Sequence, residues 1–275
     1  MTEARAVTAA APRVAAAARA SGAADDDAPG GAFAGDEAAR GVIVGGITPF
    51  TTTDFPGRLA AVLFLQGCPW RCGYCHNPHL VPARRDAEDG SREQAWDDVL
   101  AFLRGRRGLL DAVVFSGGEP TAQPGLAGAI RDVRALGFAI GLHTGGAYPR
   151  RLATVLPLVD WVGFDVKAPA SQYPLVTGID GSGTAALASL RLVGDSGVAH
   201  EIRTTVHPAL VPDAALLRMA GDFAELGVRR WVLQPFRPAG CGDAFLVAAA
   251  AGGASIDAGL LERLRERVPE VTVRG

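Results

Sequence analysis

The sequence predicts an α/β fold, an open partial (β/α)6 barrel with parallel strands, behind a disordered N-terminal extension. Three observations carry that prediction. Short aliphatic runs alternate with helix-length amphipathic segments over short connections, which implies a parallel sheet with right-handed crossovers. Six such units can be counted, short of the eight that close a full TIM-like barrel. Every unusual polar or Gly-rich cluster falls at the carboxyl end of a predicted strand, the rim where such barrels keep their chemistry.

The 275 residues suffice for one large domain with a complete core. Residues 1–40 are rich in Ala, Gly and Asp and poor in large apolar side chains, so they cannot offset the entropy of ordering. The arginines there suggest a transit peptide, but the Asp25-Asp26-Asp27 run and the scarcity of serine argue against one. The folded domain is expected over residues 41–275, with no internal repeat. Val42 to Val44 and Ile47 read as a short strand, followed by a turn-rich link from Thr51 to Gly57. Leu59 to Leu65 is a continuous apolar run, the pattern of a strand buried on both faces.

Ser91 to Arg104 reads as a helix, with Ser91 and Gln94 as a capping box and Trp96, Val99, Leu100 and Leu103 as its stripe. The second strand is expected at Asp111 to Phe115. Pro124 then opens a helix with Leu126, Ile130 and Val133 inward and Gly137 as its stop. Strands follow at Phe138 to Leu142, Trp161 to Val166, Glu201 to Val206 and Arg229 to Leu233. Helices are expected at Arg150 to Leu156, Thr184 to Gly194, Ala214 to Leu226 and about Ile256 to Arg267, with an edge strand at Val271 to Val273.

The net charge is −2 and the pI about 6.2, so a bulk electrostatic hold on nucleic acid is not expected. No apolar run approaches the roughly 20 residues that span a bilayer, and no membrane association is expected. The basic residues are almost all arginine: Lys167 is the only lysine, and Asn77 the only asparagine. Lysine is a compact point charge and arginine a planar fork, so a lone lysine among arginines points to a shaped site.

Three of the four cysteines, Cys68, Cys72 and Cys75, are spaced C-x3-C-x2-C directly after the first parallel strand. Nothing marks secretion, so a disulfide is disfavoured and a reducing, cytoplasmic compartment is expected. Zinc would accept Cys68, Cys72, Cys75 and His76. Adjacent Cys75 and His76 close a tetrahedron awkwardly, however, and no second cysteine pair exists. Common iron–sulfur sites use four cysteines, so three would leave one iron open to another ligand. Cys241 stands apart and is given no role.

The other rim clusters are Gly117-Gly118-Glu119-Pro120, His143-Thr144-Gly145-Gly146, Asp165-Val166-Lys167, and Arg203 with His207. Singly each has a plain explanation. A Gly-Gly pair makes a tight turn, and Asp165 and Lys167, two apart on one strand face, could be an ion pair. Their common placement carries the inference.

With these motifs the chain resembles the radical S-adenosylmethionine (SAM) superfamily. More narrowly, Gly46-Ile47-Thr48-Pro49-Phe50 with Asp54-Phe55-Pro56-Gly57, the Tyr74-Cys75-His76-Asn77 ending, Asp-Val-Lys and Gln234-Pro235-Phe236-Arg237-Pro238 resemble activating enzymes of glycyl-radical proteins. The anaerobic ribonucleoside-triphosphate reductase activating branch is the best match, and the pyruvate formate-lyase activators are also similar. The resemblance implies a [4Fe-4S] cluster on Cys68, Cys72 and Cys75, with SAM on its open iron. It implies Gly117, Gly118 and Glu119 at the methionine amino group and Lys167 at the carboxylate. It further implies Asp165 and Thr144 near the ribose or a cation, and Arg203 and His207 as cofactor contacts. Trp70 and Tyr74 would shield the cluster, and Arg71 would offset its charge. The implied partners are a glycyl-radical enzyme as protein substrate and flavodoxin or ferredoxin as electron donor. Where pyruvate formate-lyase activators tend to carry an acid and an Asn, this chain has His143 and Gly145. A radical SAM enzyme acting on a small molecule or peptide is the alternative, and a zinc-stabilised binding module a further one.

Overall fold

The computed structural model describes residues 42–83, 94–251 and 256–275. The predicted extension over residues 1–40 lies outside them. The described chain runs β1 (Val44–Thr51), β2 (Ala60–Leu65), α1 (Trp96–Arg104), β3 (Ala112–Gly117), α2 (Leu126–Ala135), β4 (Ala139–Thr144), α3 (Pro149–Val155), β5 (Trp161–Asp165), α4 (Tyr173–Thr177), α5 (Ser182–Asp195), β6 (Ala199–Val206), α6 (Asp213–Glu225), β7 (Arg230–Pro235), α7 (Ala244–Ala249), α8 (Ala258–Arg265) and β8 (Glu270–Val273). The strands form one sheet in sequence order. Strands β2 to β8 are parallel, and no pairing joins β8 back to β1, so the barrel is open as expected. Among the described residues no helix is long and apolar enough to cross a membrane.

The first strand is longer than its sequence suggests. It spans Val44–Thr51 and pairs antiparallel with β2, with register shifts at Val44/Gly46 and Thr48/Thr51. Gly45, Gly46 and Pro49 hide its alternation, because glycine and proline weaken a strand signal wherever they fall. The first helix also begins later than the capping box implied. Ser91 lies outside the described residues, and Gln94 makes an antiparallel bridge to Val44, with its amide donating to the Val44 carbonyl at 3.0 Å. Tertiary pairing therefore takes Gln94 out of the helix, and Trp96 starts it. Two short helices were not expected. α4 follows the β5 loop, and α7 forms from the alanine-rich run, capped by Asp243 accepting from the Leu246 amide at 3.0 Å.

Alternation within the strands divides the interior. On β2, Ala61, Leu63 and Leu65 join the large core shared with the helices. Ala60 and Val62 face the other way, into a smaller cluster with Ala112, Val114, Phe55 and Trp161. The helices present matching stripes: Leu126, Ala129, Ile130 and Val133 of α2 are all buried at i, i+3, i+4 and i+7. Fully burying a side chain such as Ile130 stabilises the fold by about 1.5–3 kcal/mol. This outer layer fixes the strands, and the strand ends carry the site.

Candidate active site

The cysteine loop leaves β2 through Gln66 and Gly67. Gln66 is fully buried, and its Nε2 donates to the His79 and Pro82 carbonyls, both at 2.9 Å. The Gly67 and Cys68 amides donate to Leu80 and Val81, so the returning chain is tied to the loop's start. Gly67 has φ 92°, in the left-handed region that favours glycine. On the far side, the Arg71 and Gly73 amides donate to the Thr177 and Val176 carbonyls of α4, at 2.8 and 3.3 Å. The exposed Arg71 folds back, with Nη1 donating to the Cys68 carbonyl at 2.7 Å and the Trp70 carbonyl at 3.1 Å. The three cysteines are half-buried, flanked by buried Trp70 and Tyr74.

The end of β3 presses against this loop. A Cβ on Gly117 would lie 2.3 Å from the Leu65 amide nitrogen, and one on Gly118 would lie 2.3 Å from the Gly67 carbonyl oxygen. Both glycines thus allow two backbones to cross. Glu119 is 2% exposed and braces the next loop. Its Oε1 accepts from the Thr121 amide at 3.1 Å and from the Thr121 and Thr144 hydroxyls at 2.6 and 2.7 Å. Its Oε2 accepts from the Gly145 amide at 2.9 Å. A Cβ on Gly145 would lie 2.4 Å from the Trp70 ring, so the packing of Trp70 requires glycine there.

Lys167 reaches the cavity from the end of β5. Its Nζ lies 5.7 Å from the Trp70 ring centroid and 5.9 Å from that of Tyr74, within cation–π range. Burial works against its charge, but Tyr74, Cys72 and Asp165 hold its ammonium well above the ordinary lysine range. Burial likewise opposes the Asp165 charge, yet Arg203, whose Nε donates to Oδ1 at 2.8 Å, and Lys167 keep its carboxyl below the usual range. Burial and Arg203 push His143 down to about 3, so the ring is neutral; its Nε2 meets the Asp54 carbonyl at 2.8 Å. Burial, followed by the Glu119 charge, pushes the Cys68 thiol up to about 12, and burial also raises Cys72. Metal ligation reverses that balance, because a coordinating thiol gives up its proton.

One cavity is lined by Cys68, Cys72, Cys75, Gly117, Gly118, Glu119, Thr144, Asp165 and Lys167, the majority of the predicted site. Arg203 and His207 are not among its lining. Arg203 is 6% exposed and acts from behind, holding Asp165 and the Gly163 carbonyl. His207 is fully buried: its Nε2 meets the Leu246 carbonyl at 2.9 Å and its Nδ1 accepts from the Ala209 amide at 3.1 Å. It sits beyond the last residue of β6, so strand alternation no longer aims it, and α7 covers it. Ser116 and Thr205 line the cavity without having been predicted. Thr205 could have been found, since it lies two residues past Arg203 on the same face of β6.

The donor set suits a [4Fe-4S] cluster, with three thiols on one short loop and a lysine cation facing them. A zinc site fits less well. His76 has its Nε2 engaged by the Arg237 carbonyl at 2.9 Å, and among the described residues no three His, Cys, Asp or Glu converge to hold one metal ion. A cubic cluster spreads its ligands over separate iron atoms and needs no such convergence.

An open barrel with a three-cysteine loop on its catalytic rim defines a class of iron–sulfur enzymes. The radical SAM superfamily model matches residues 62–219, and the chain belongs to that superfamily, whose members use a [4Fe-4S] cluster and SAM. The chain is 34% identical over 134 residues to a Methanocaldococcus jannaschii protein provisionally named a glycyl-radical enzyme activating enzyme, covering 48% of this chain and 52% of that one. The match thus spans about half the length of that relative. It is 27% identical over 213 residues to the pyruvate formate-lyase-activating enzyme of Streptococcus mutans, covering 72% and 78% of the two chains. Among solved structures, Streptococcus suis SuiB bound to S-adenosylmethionine superposes with a TM-score of 0.54 at 13% identity, covering 76% of this chain and 48% of SuiB, which speaks to the fold alone.

Proposed function

We propose that the chain is a radical SAM activase that installs a glycyl radical on a partner enzyme, with an anaerobic ribonucleotide reductase as that partner. The observation that carries the reading is the convergence of the cysteine loop, the Gly-Gly-Glu brace and Lys167 on one cavity. The names of the relatives support a glycyl-radical activase, without naming that reductase as the partner. When bound, the cluster and SAM would supply one-electron radical chemistry able to remove a hydrogen atom from a glycine Cα of the partner.

The chain's own groups do the rest. Cys68, Cys72 and Cys75 hold the cluster, and Trp70 and Tyr74 limit water around it. Lys167, charged and steadied between two rings, orients the methionine carboxylate. Gly117 and Gly118 let the backbone lie close to the methionine amino group, with Glu119 fixing the loop they open. Asp165, kept ionised by Arg203, and Thr144 would serve the ribose or a nearby cation. The electron comes from flavodoxin or ferredoxin in a reducing, cytoplasmic setting.

The test is anaerobic reconstitution followed by reduction with SAM and an anaerobic ribonucleotide reductase. The expected result is a glycyl-radical doublet by electron paramagnetic resonance. Steady SAM cleavage without a doublet on any glycyl-radical partner would favour a small-molecule substrate, and a preparation holding zinc in place of iron would end the enzyme reading.

A further inference from the structure

A second cavity, of about 340 Å3, opens beside the cysteine cavity, and His76 and Thr205 line both. It lies at the unclosed seam of the sheet, between the β1–β2 turn at Asp54, the inner faces of β6 and β7, and Arg274 beyond β8. Three guanidinium-bearing residues, Arg203, Arg237 and Arg274, line it, with Asp54 and the carboxylate-bearing Gly275 as its acidic residues.

Two of these cations are already matched. Arg203 donates to Asp165, and Arg274 donates from Nη1 and Nη2 to both oxygens of Glu201, at 2.8 and 2.9 Å. Glu201 is 2% exposed, so that pair is fixed in the wall. The Asp54 carboxylate accepts from the Thr51 and Thr53 hydroxyls. The Arg237 side chain is exposed and has no hydrogen bond or ion pair to any described residue. Its backbone is nevertheless pinned. Pro235 and Pro238 flank it, its carbonyl meets His76 Nε2, and the preceding Phe236 donates its amide to the Val206 carbonyl at 3.0 Å and stacks on His76. A fixed backbone presenting an uncommitted planar fork at the mouth of a polar cavity is an arrangement for bidentate carboxylate recognition.

We propose that this cavity receives a carboxylate carried by the hydrogen-donating substrate, and that Arg237 pairs with it. The inference rests on the activase reading only for the carboxylate's source, an acidic side chain near the target glycine; a free small acid would offer the same chemistry.

Calorimetric titration of the cluster-loaded full chain with SAM and no reductant tests this without turnover. The probes are two end-capped heptapeptides, alanine apart from a central glycine and an Asp or Asn two residues away, together with succinate and succinamide. The Asp peptide should bind about tenfold more tightly than its Asn twin, which is about 1.4 kcal/mol. Arg237→Gln should reduce that ratio to about twofold or less, and Arg237→Lys should keep part of it. Equal binding of the two peptides, a ratio that survives Arg237→Gln, or no binding of any acidic probe overturns the proposal. Succinate binding tenfold above succinamide, lost in Arg237→Gln and with neither peptide bound, supports the carboxylate site while assigning it to a small molecule, and it is then the activase reading that fails.

Discussion

On the inward face of the sheet, β2 and β3 present Ala60, Val62, Ala112 and Val114, with Phe55 and Trp161 closing over them. On the same face, β5 to β7 present Asp165, Glu201, Arg203, Thr205 and Gln234, and there the interior stays open. One architecture therefore holds a packed half and a polar half. The packed half supports the strand ends that carry the cysteine loop and the glycine pair. The polar half satisfies its buried charges in pairs, Asp165 with Arg203 and Glu201 with Arg274, and keeps a cavity beside them. Buried charge is tolerable only when so paired.

Substitutions in the two halves should separate stability from chemistry. The largest effect is expected at the polar rim. Lys167→Ala should keep its iron and unfold normally, yet lose roughly 100-fold or more in SAM cleavage, the scale of removing one placed charge from a catalytic site; 5′-deoxyadenosine yield against iron content is the measurement. In the packed half, Val114→Ala should do the reverse, costing about 1–3 kcal/mol in urea unfolding while cleavage per folded, loaded enzyme stays unchanged. Glu119→Gln tests the junction between the halves. One carboxylate oxygen becomes an amide donor facing other donors, so a loss of about 1–3 kcal/mol is expected, with weakened SAM binding by equilibrium dialysis.

A separate effect concerns pH. His143 in the fold titrates at about 3, below its value of about 6.5 in the unfolded chain. The unfolded state therefore binds the extra proton first, and stability should fall as pH drops from about 6.5 towards 3, by at most about 1.4 kcal/mol per unit. His143→Gln should flatten that slope in unfolding curves taken across the window. The depressed Asp165 adds a loss of the same sign at lower pH, as its carboxylate protonates.

The six β/α units were legible because glycine, proline and helical stripes punctuate them, and the core of the site was legible because its motifs end strands. β1 looks shorter in the sequence than it is, because Gly45, Gly46 and Pro49 interrupt its alternation. α1 was extended because nothing local reveals that Gln94 pairs with Val44. His207 lies away from the cysteine cavity for a related reason. Its partner is the Leu246 carbonyl of α7, a contact across 39 residues that alternation cannot forecast. Arg203 also lies outside the lining of that cavity, behind Asp165, with which it pairs.

The crossing at Gly117 and Gly118 has a consequence for maturation. Because the strand end and the cysteine loop touch backbone to backbone, part of the receptacle for the inorganic core is built from main-chain contacts. Cluster delivery then resembles seating a part in a finished mount, and an alanine at either glycine would damage the mount itself, a defect that added iron and sulfide could not repair.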